Sequence, residues 1–164
     1  EKAARRGDVD AQFSLGLCYS NGEGVEQDDA RAAVWFSRAA DQGHVGAQYV
    51  LAYCYQTGQG MELDIAKAVF WYRRAAEQGY PLAWGSLGQL YATGQGVPQD
   101  FAKAVELYQK AADQGDEEAQ YNLGVCYITG QGVQPNRAVA VAWLKEAAAR
   151  GNESAVALLK QLGD

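Results

Sequence analysis

The chain has 164 residues, 48% of them apolar and 21% charged, and carries a net charge of −6 with a pI of about 4.8. That balance is ordinary for a folded domain with its own core. It disfavours nucleic acid and anionic membrane surfaces, both of which select Lys and Arg. No run of about 18 apolar residues is present to span a bilayer.

In chain order, the first feature is Ala3-Ala4-Arg5-Arg6-Gly7, which has the form of Ala39-Ala40-Asp41-Gln42-Gly43. It reads as the last turn of a helix, and with Glu1 in place of an initiating Met it predicts a natural protein that extends upstream. Helix A of a first unit covers about Ala11 to Asn21. Gly22-x-Gly24 breaks it, because glycine takes positive φ without steric cost. Asp28 stands where an N-cap belongs, and helix B runs on to about Gln42, ended by Gly43. The same signals recur at a step of 36 residues. Leu15-Gly16-x-x-Tyr19 returns as Leu51-Ala52-x-x-Tyr55, Leu87-Gly88-x-x-Tyr91 and Leu123-Gly124-x-x-Tyr127. Asp28 returns as Asp64, Asp100 and Asn136, and Ala39-Ala40 as Ala75-Ala76, Ala111-Ala112 and Ala147-Ala148. Units are thus assigned to 11–46, 47–82, 83–118 and 119–154, with 1–10 the end of a preceding repeat. In 155–164, Ala155, Leu159 and Leu162 keep the helix A core spacing and predict a short capping helix.

Helical periodicity puts Ala11, Leu15, Cys18 and Gly22 on the core face of helix A, and Ala32, Trp35, Phe36, Ala39 and Ala40 on that of helix B. One unit cannot bury such faces alone; stacked neighbours complete the core. The expected fold is all-α: a right-handed α/α superhelical solenoid of four helix-turn-helix repeats and a terminal cap.

The pattern Ala-x-x-x-Leu-Gly-x-x-Tyr-x-x-Gly-x-Gly-Val, then Asp-x-x-Lys-Ala-x-x-Trp-Tyr-x-x-Ala-Ala-x-x-Gly, resembles Sel1-like repeats over the whole chain. The third unit follows it nearly throughout, from Ala83, Leu87, Gly88 and Tyr91 to Ala111, Ala112 and Gly115. The related tetratricopeptide repeat has a period of about 34 residues. The resemblance implies a protein-binding scaffold or adaptor. Related proteins serve in bacterial envelope assembly, export, host interaction and signalling, or in endoplasmic-reticulum quality control. It leaves the compartment open between bacterial envelope, periplasm and cytoplasm, and favours a monomer. An inhibitory or self-assembling module, such as an immunity protein against a toxin, is the alternative.

Chemistry finds few anchors. Cys18, Cys54 and Cys126 share one register position with Leu90, which marks it as apolar core. Equivalent sites in successive units lie roughly 10 Å or more apart, beyond the ~7 Å Cα limit of a disulfide. Three reduced, poorly reactive thiols are expected. His44, the sole histidine, falls in a turn and reads as solvated. No catalytic residue, metal site or cofactor is expected. The Gly-x-Gly pairs follow helices rather than strands and lack a phosphate-loop lysine. Asn152-Glu153-Ser154 is a formal glycosylation acceptor read as accidental.

The face of helix A away from the core is the candidate binding surface. It carries Phe13, Leu17, Tyr49, Tyr53, Gln56, Gln89, Tyr121, Asn122, Val125 and Ile128, with Ser14 and Ser86 beside them. By analogy with the tetratricopeptide superhelix it would line a concave groove. Docking is expected through Phe13, Tyr49, Tyr53 and Tyr121, with Gln89 and Asn122 hydrogen-bonding to a partner's main chain. Packing of these rings against neighbouring helices is the competing reading. The stripe has no Lys or Arg, so acidic chaperone tails, which need cationic clamps, are expected not to bind, and a neutral or basic, partly apolar segment is. The basic residues Arg38, Arg74 and Lys110 are expected on the outer face of helix B, near Asp41, Glu77 and Asp113.

Overall fold

A computed structural model describes residues 1–163 as ten helices with no strand among them. They form two compact units, 1–80 and 81–164. The first unit holds α1 (Lys2–Arg5), α2 (Val9–Asn21), α3 (Asp29–Asp41), α4 (Val45–Thr57) and α5 (Ile65–Glu77). The second holds α6 (Pro81–Thr93), α7 (Phe101–Asp113), α8 (Glu117–Thr129), α9 (Arg137–Ala149) and α10 (Glu153–Leu162). Within each unit every helix packs on the next in sequence. The units are all-helical solenoid segments, as the repeat register predicts.

The A-to-B turns follow one local plan. Gly22, Gly58 and Gly130 take φ of 73–76° at the helix end, and their amides donate to the carbonyls of Cys18, Cys54 and Cys126. The chain then folds back until the amides of Asp28, Asp64, Asp100 and Asn136 donate to the carbonyls of Tyr19, Tyr55, Tyr91 and Tyr127, each at 2.9 Å. Each of these residues next caps helix B: its side chain accepts from the backbone amide three residues on, at 2.9–3.1 Å. Truncating such a cap to alanine costs about 1 kcal/mol.

The A helices begin two residues earlier than expected. A second set of caps, missed in the sequence, explains the extra half-turn. Asp8, His44, Asp116 and Asn152 accept from Ala11, Ala47, Ala119 and Ala155. His44 is therefore not a solvated turn residue. Its Nδ1 accepts from the Ala47 amide at 3.0 Å, and its ring stacks on Phe13 with centroids 4.3 Å apart. Asn152 is likewise a structural cap within the glycosylation-like triplet.

In each unit, leucines and aromatics fill between small residues. Phe36, Leu51, Tyr72, Leu90, Leu123 and Leu144 are fully buried, each worth about 2–3 kcal/mol of transfer free energy. Gly16, Gly88 and Gly124 lie directly under the side chains of Phe36, Tyr108 and Leu144. The helix pair closes to that distance only because no Cβ intervenes. Trp35 is half-buried rather than buried, with the Arg38 guanidinium over its ring at 4.5 Å. Arg38 and Arg74 form no ion pairs with Asp41 and Glu77; Arg74 lies over Phe70 instead, at 5.8 Å. Lys110 pairs with Glu106 at 3.3 Å, not with Asp113, whose carboxylate accepts from Gln109.

The cysteines are free. Cys54 and Cys126 are buried, and burial raises both thiols; that of Cys54 is pushed up to about 11. Cys18, expected with them in the core, is only half-buried, since the short α1 covers less of α2 than a full-length helix B covers of α4. At pH 8 a thiol reagent should therefore label Cys18 first. Cys54 and Cys126 should react only after denaturation. Equal labelling rates for all three in the native protein would contradict the burial.

Candidate functional site

The candidate surface is carried by α2 and α4 in the first unit and by α6 and α8 in the second. Within each unit, α2, α4 and α8 pack on the helix before them and on the helix after them, and α6 packs on α7; the stripe facing away from these contacts is the candidate surface. The capping turns described above hold α2, α4 and α8 in register.

The stripe is not uniformly open. Phe13 sits between Phe36, 5.9 Å away, and His44. Tyr49 sits between Tyr72 and Tyr80, at 5.6 and 5.1 Å. Tyr121, at the same register, is half-buried against Leu144, Ala147 and Leu159. In the first unit, Phe13 and Tyr49 make a floor. Standing above it in the first unit are Tyr53 and Leu17, with 47% and 37% of their surface exposed. Gln56 is half-buried and accepts the Tyr72 hydroxyl proton at 2.7 Å. Its amide is thus committed to holding the core. In the second unit Gln89 is exposed, whereas Asn122, Val125 and Ile128 are half-buried. Among the described residues no Lys or Arg lies on the stripe.

A polar set that the sequence reading missed lies at the base of the A helices. Gln12, Gln48 and Gln120 are buried. Their Nε2 groups donate to the carbonyls of Ala4, Ala40 and Ala112 in the preceding B helix, at 3.1–3.3 Å. Gln42 and Gln78 then donate to Oε1 of Gln12 and Gln48, both at 2.7 Å. The Gln12 and Gln48 amides thus each join three helix segments. At the fourth repeat the residue aligned with Gln42 and Gln78 is Arg150, and Gln120 Oε1 is left without a partner. The recurring Ala-Gln pair at 11–12, 47–48 and 119–120 was the visible signal.

No group of three or more His, Cys, Asp or Glu residues able to hold a metal occurs among the described residues. Among the described residues no helix is long and apolar enough to cross a membrane. The arrangement offers contact surface and hydrogen bonds rather than a nucleophile beside a base.

The chain matches the Sel1 repeat model at residues 9–44, 45–80, 86–116 and 117–152. Among solved structures, it is 39% identical to a Sel1 repeat protein from Oxalobacter formigenes, with TM-score 0.90 over 96% of this chain and 63% of that one. It is 37% identical to c5321, a protective antigen of uropathogenic Escherichia coli strains displaying an SLR fold. That match has TM-score 0.92 and spans 99% of this chain and 35% of that one. Helicobacter pylori cysteine rich protein B is 25% identical, with TM-score 0.62 over 76% of this chain and 94% of that one. The chain thus spans under two thirds of the length of the first two relatives. No curated protein matches it. Sel1 repeat proteins generally mediate protein–protein interaction on a scaffold that is generally non-catalytic, and this chain belongs to the Sel1 repeat family.

Proposed function

We propose that the chain is an interaction scaffold that binds a partner protein or peptide on the exposed stripe of its A helices. The observation that carries this reading is the pair Tyr53 and Leu17. They stand exposed above a floor of packed aromatics, on a surface free of Lys and Arg. A tyrosine held on a rigid helix supplies large contact area at little entropic cost, and such side chains dominate interface energies. Phe13 and Tyr49 supply ring edges from below in the first unit, and Tyr121, Gln89 and Asn122 supply a ring and main-chain hydrogen bonds from the second. The net charge of −6 favours a neutral or basic, partly apolar segment over an acidic one.

The test is a binding isotherm of a captured partner on the Tyr53→Ala and Leu17→Ala variants, with melting curves as the folding control. Tyr53→Ala is expected to weaken binding about tenfold, near 1.4 kcal/mol, with little change in stability. Unchanged affinity in a folded variant would move the site elsewhere. Val34 and Phe70, each 51% exposed on the outer faces of α3 and α5, would then be the surface to mutate. A mass that rises with concentration in light scattering, with no partner present, would instead identify a self-assembling module.

A further inference from the structure

The first repeat differs from the other three at one register position, the first residue of helix B. It is Asp29 in the first repeat, against Ile65, Phe101 and Arg137 at the same place in the others. This residue lies against the turn of the next repeat. The carbonyl of Asp29 faces Gly60, just as that of Phe101 faces Gly132 in the second unit. In the second unit a half-buried phenylalanine occupies the position. In the first, a cavity of about 200 Å³ lies beside the aspartate. Ala32, Phe36 and Val50 form its apolar walls, and Asp29, Gln59 and Tyr53 its polar rim.

The carboxylate has a fixed place. Gln59 Nε2 donates to Asp29 Oδ1 at 3.2 Å, and among the described residues no Lys or Arg forms an ion pair with it. It is near enough to the Cys54 thiol to add to burial in opposing thiolate formation. An apolar-walled cavity with a carboxylate and an exposed tyrosine at its rim matches one kind of side chain. An aliphatic stem would run along Phe36 and Val50, and a cationic head would reach the carboxylate. The Tyr53 ring offers a face for that cation.

We propose that this cavity receives one lysine or arginine side chain projecting from the peptide segment that lies on the A-helix stripe. The assignment rests on the scaffold reading above and gives it a specificity determinant. A cation in the slot fixes the register of the bound segment, while contacts with Leu17 and the packed rings contribute apolar area. It also gives a physical reason for rejecting acidic segments: a carboxylate there would meet the like charge of Asp29.

The experiment pans a displayed library of random peptides against the whole chain. Enriched peptides are then titrated on the native protein and on the Asp29→Asn, Val50→Phe and Tyr53→Ala variants, each first shown to melt like the native protein. Asp29→Asn keeps the Gln59 hydrogen bond and removes the charge; Val50→Phe fills the slot. Enriched peptides are expected to share a Lys or Arg. Its replacement by norleucine or citrulline should weaken binding to the native protein about tenfold, and should have little further effect on Asp29→Asn. Val50→Phe should weaken the same peptides. Peptides that need Tyr53 but are indifferent to Asp29 and to their own cation would overturn the slot and leave the stripe reading standing. Peptides indifferent to Tyr53 as well, or no enrichment, would overturn both.

Discussion

Replacing Gly60 or Gly132 by alanine is expected to destabilise the protein by about 3 kcal/mol or more, whereas the same change at Gly24 should cost about 1 kcal/mol. All three occupy the second glycine of a Gly-x-Gly turn, with φ of 71–73°. The left-handed conformation alone penalises alanine similarly at each. The difference is tertiary. A Cβ on Gly60 would lie 2.1 Å from the Asp29 carbonyl oxygen, and one on Gly132 2.2 Å from that of Phe101. These neighbours are backbone atoms at the start of a helix, so a shift must carry the helix with it. A Cβ on Gly24 meets nothing within 4 Å. Urea denaturation of the three variants tests this. Equal losses at Gly24 and Gly60 would show that only the turn conformation matters. In thermal melts a loss of about 3 kcal/mol corresponds to roughly 6–12 °C for a chain of this length.

The second large effect is expected in the glutamine ladder. Gln48→Leu should cost about 2 kcal/mol, because the Gln78 side chain keeps only its longer bond to the Gly43 carbonyl and the strap to the Ala40 carbonyl is cut. The reverse change is available in the second unit. Arg150→Gln places at the equivalent position the residue that donates in the first two repeats, and it should bond the unpartnered Gln120 Oε1. A gain of about 1 kcal/mol is expected, the net value of one buried hydrogen bond. The Arg150→Gln, Gln120→Leu double variant provides the control. If Arg150→Gln stabilises it as much as it stabilises the native protein, the gain comes from losing the arginine, not from the ladder.

The A-helix boundaries show how close a sequence reading can come and why it stops. Asp28 and its three equivalents were recognisable as caps because each follows a glycine pair and precedes an apolar stripe. Asp8, His44, Asp116 and Asn152 were not, because each follows a helix-ending glycine directly and the chemistry varies between carboxylate, imidazole and amide. His44 in particular looks like a solvated turn residue until Phe13 is seen stacked on it.

The sequence by itself determined the repeat length, the order and type of the helices, the glycines that end them and most of the core. Those properties are local: φ > 0, a capping side chain and a 3.6-residue stripe are each set within a few residues and then copied along the chain. It also singled out the A-helix stripe. Only the tertiary structure decided which members of that stripe are open. Phe13 and Tyr53 are both aromatic and both off the core face, yet one is covered by Phe36 and His44 and the other is not. Accessibility is set by neighbouring helices, not by periodicity. The slot beside Asp29 and the bonds from Gln42 to Gln12 and from Gln78 to Gln48 have the same origin. They join groups 30 residues apart whose meeting depends on how closely one repeat stacks on the next, and that distance is fixed by glycines with no side chain to announce it.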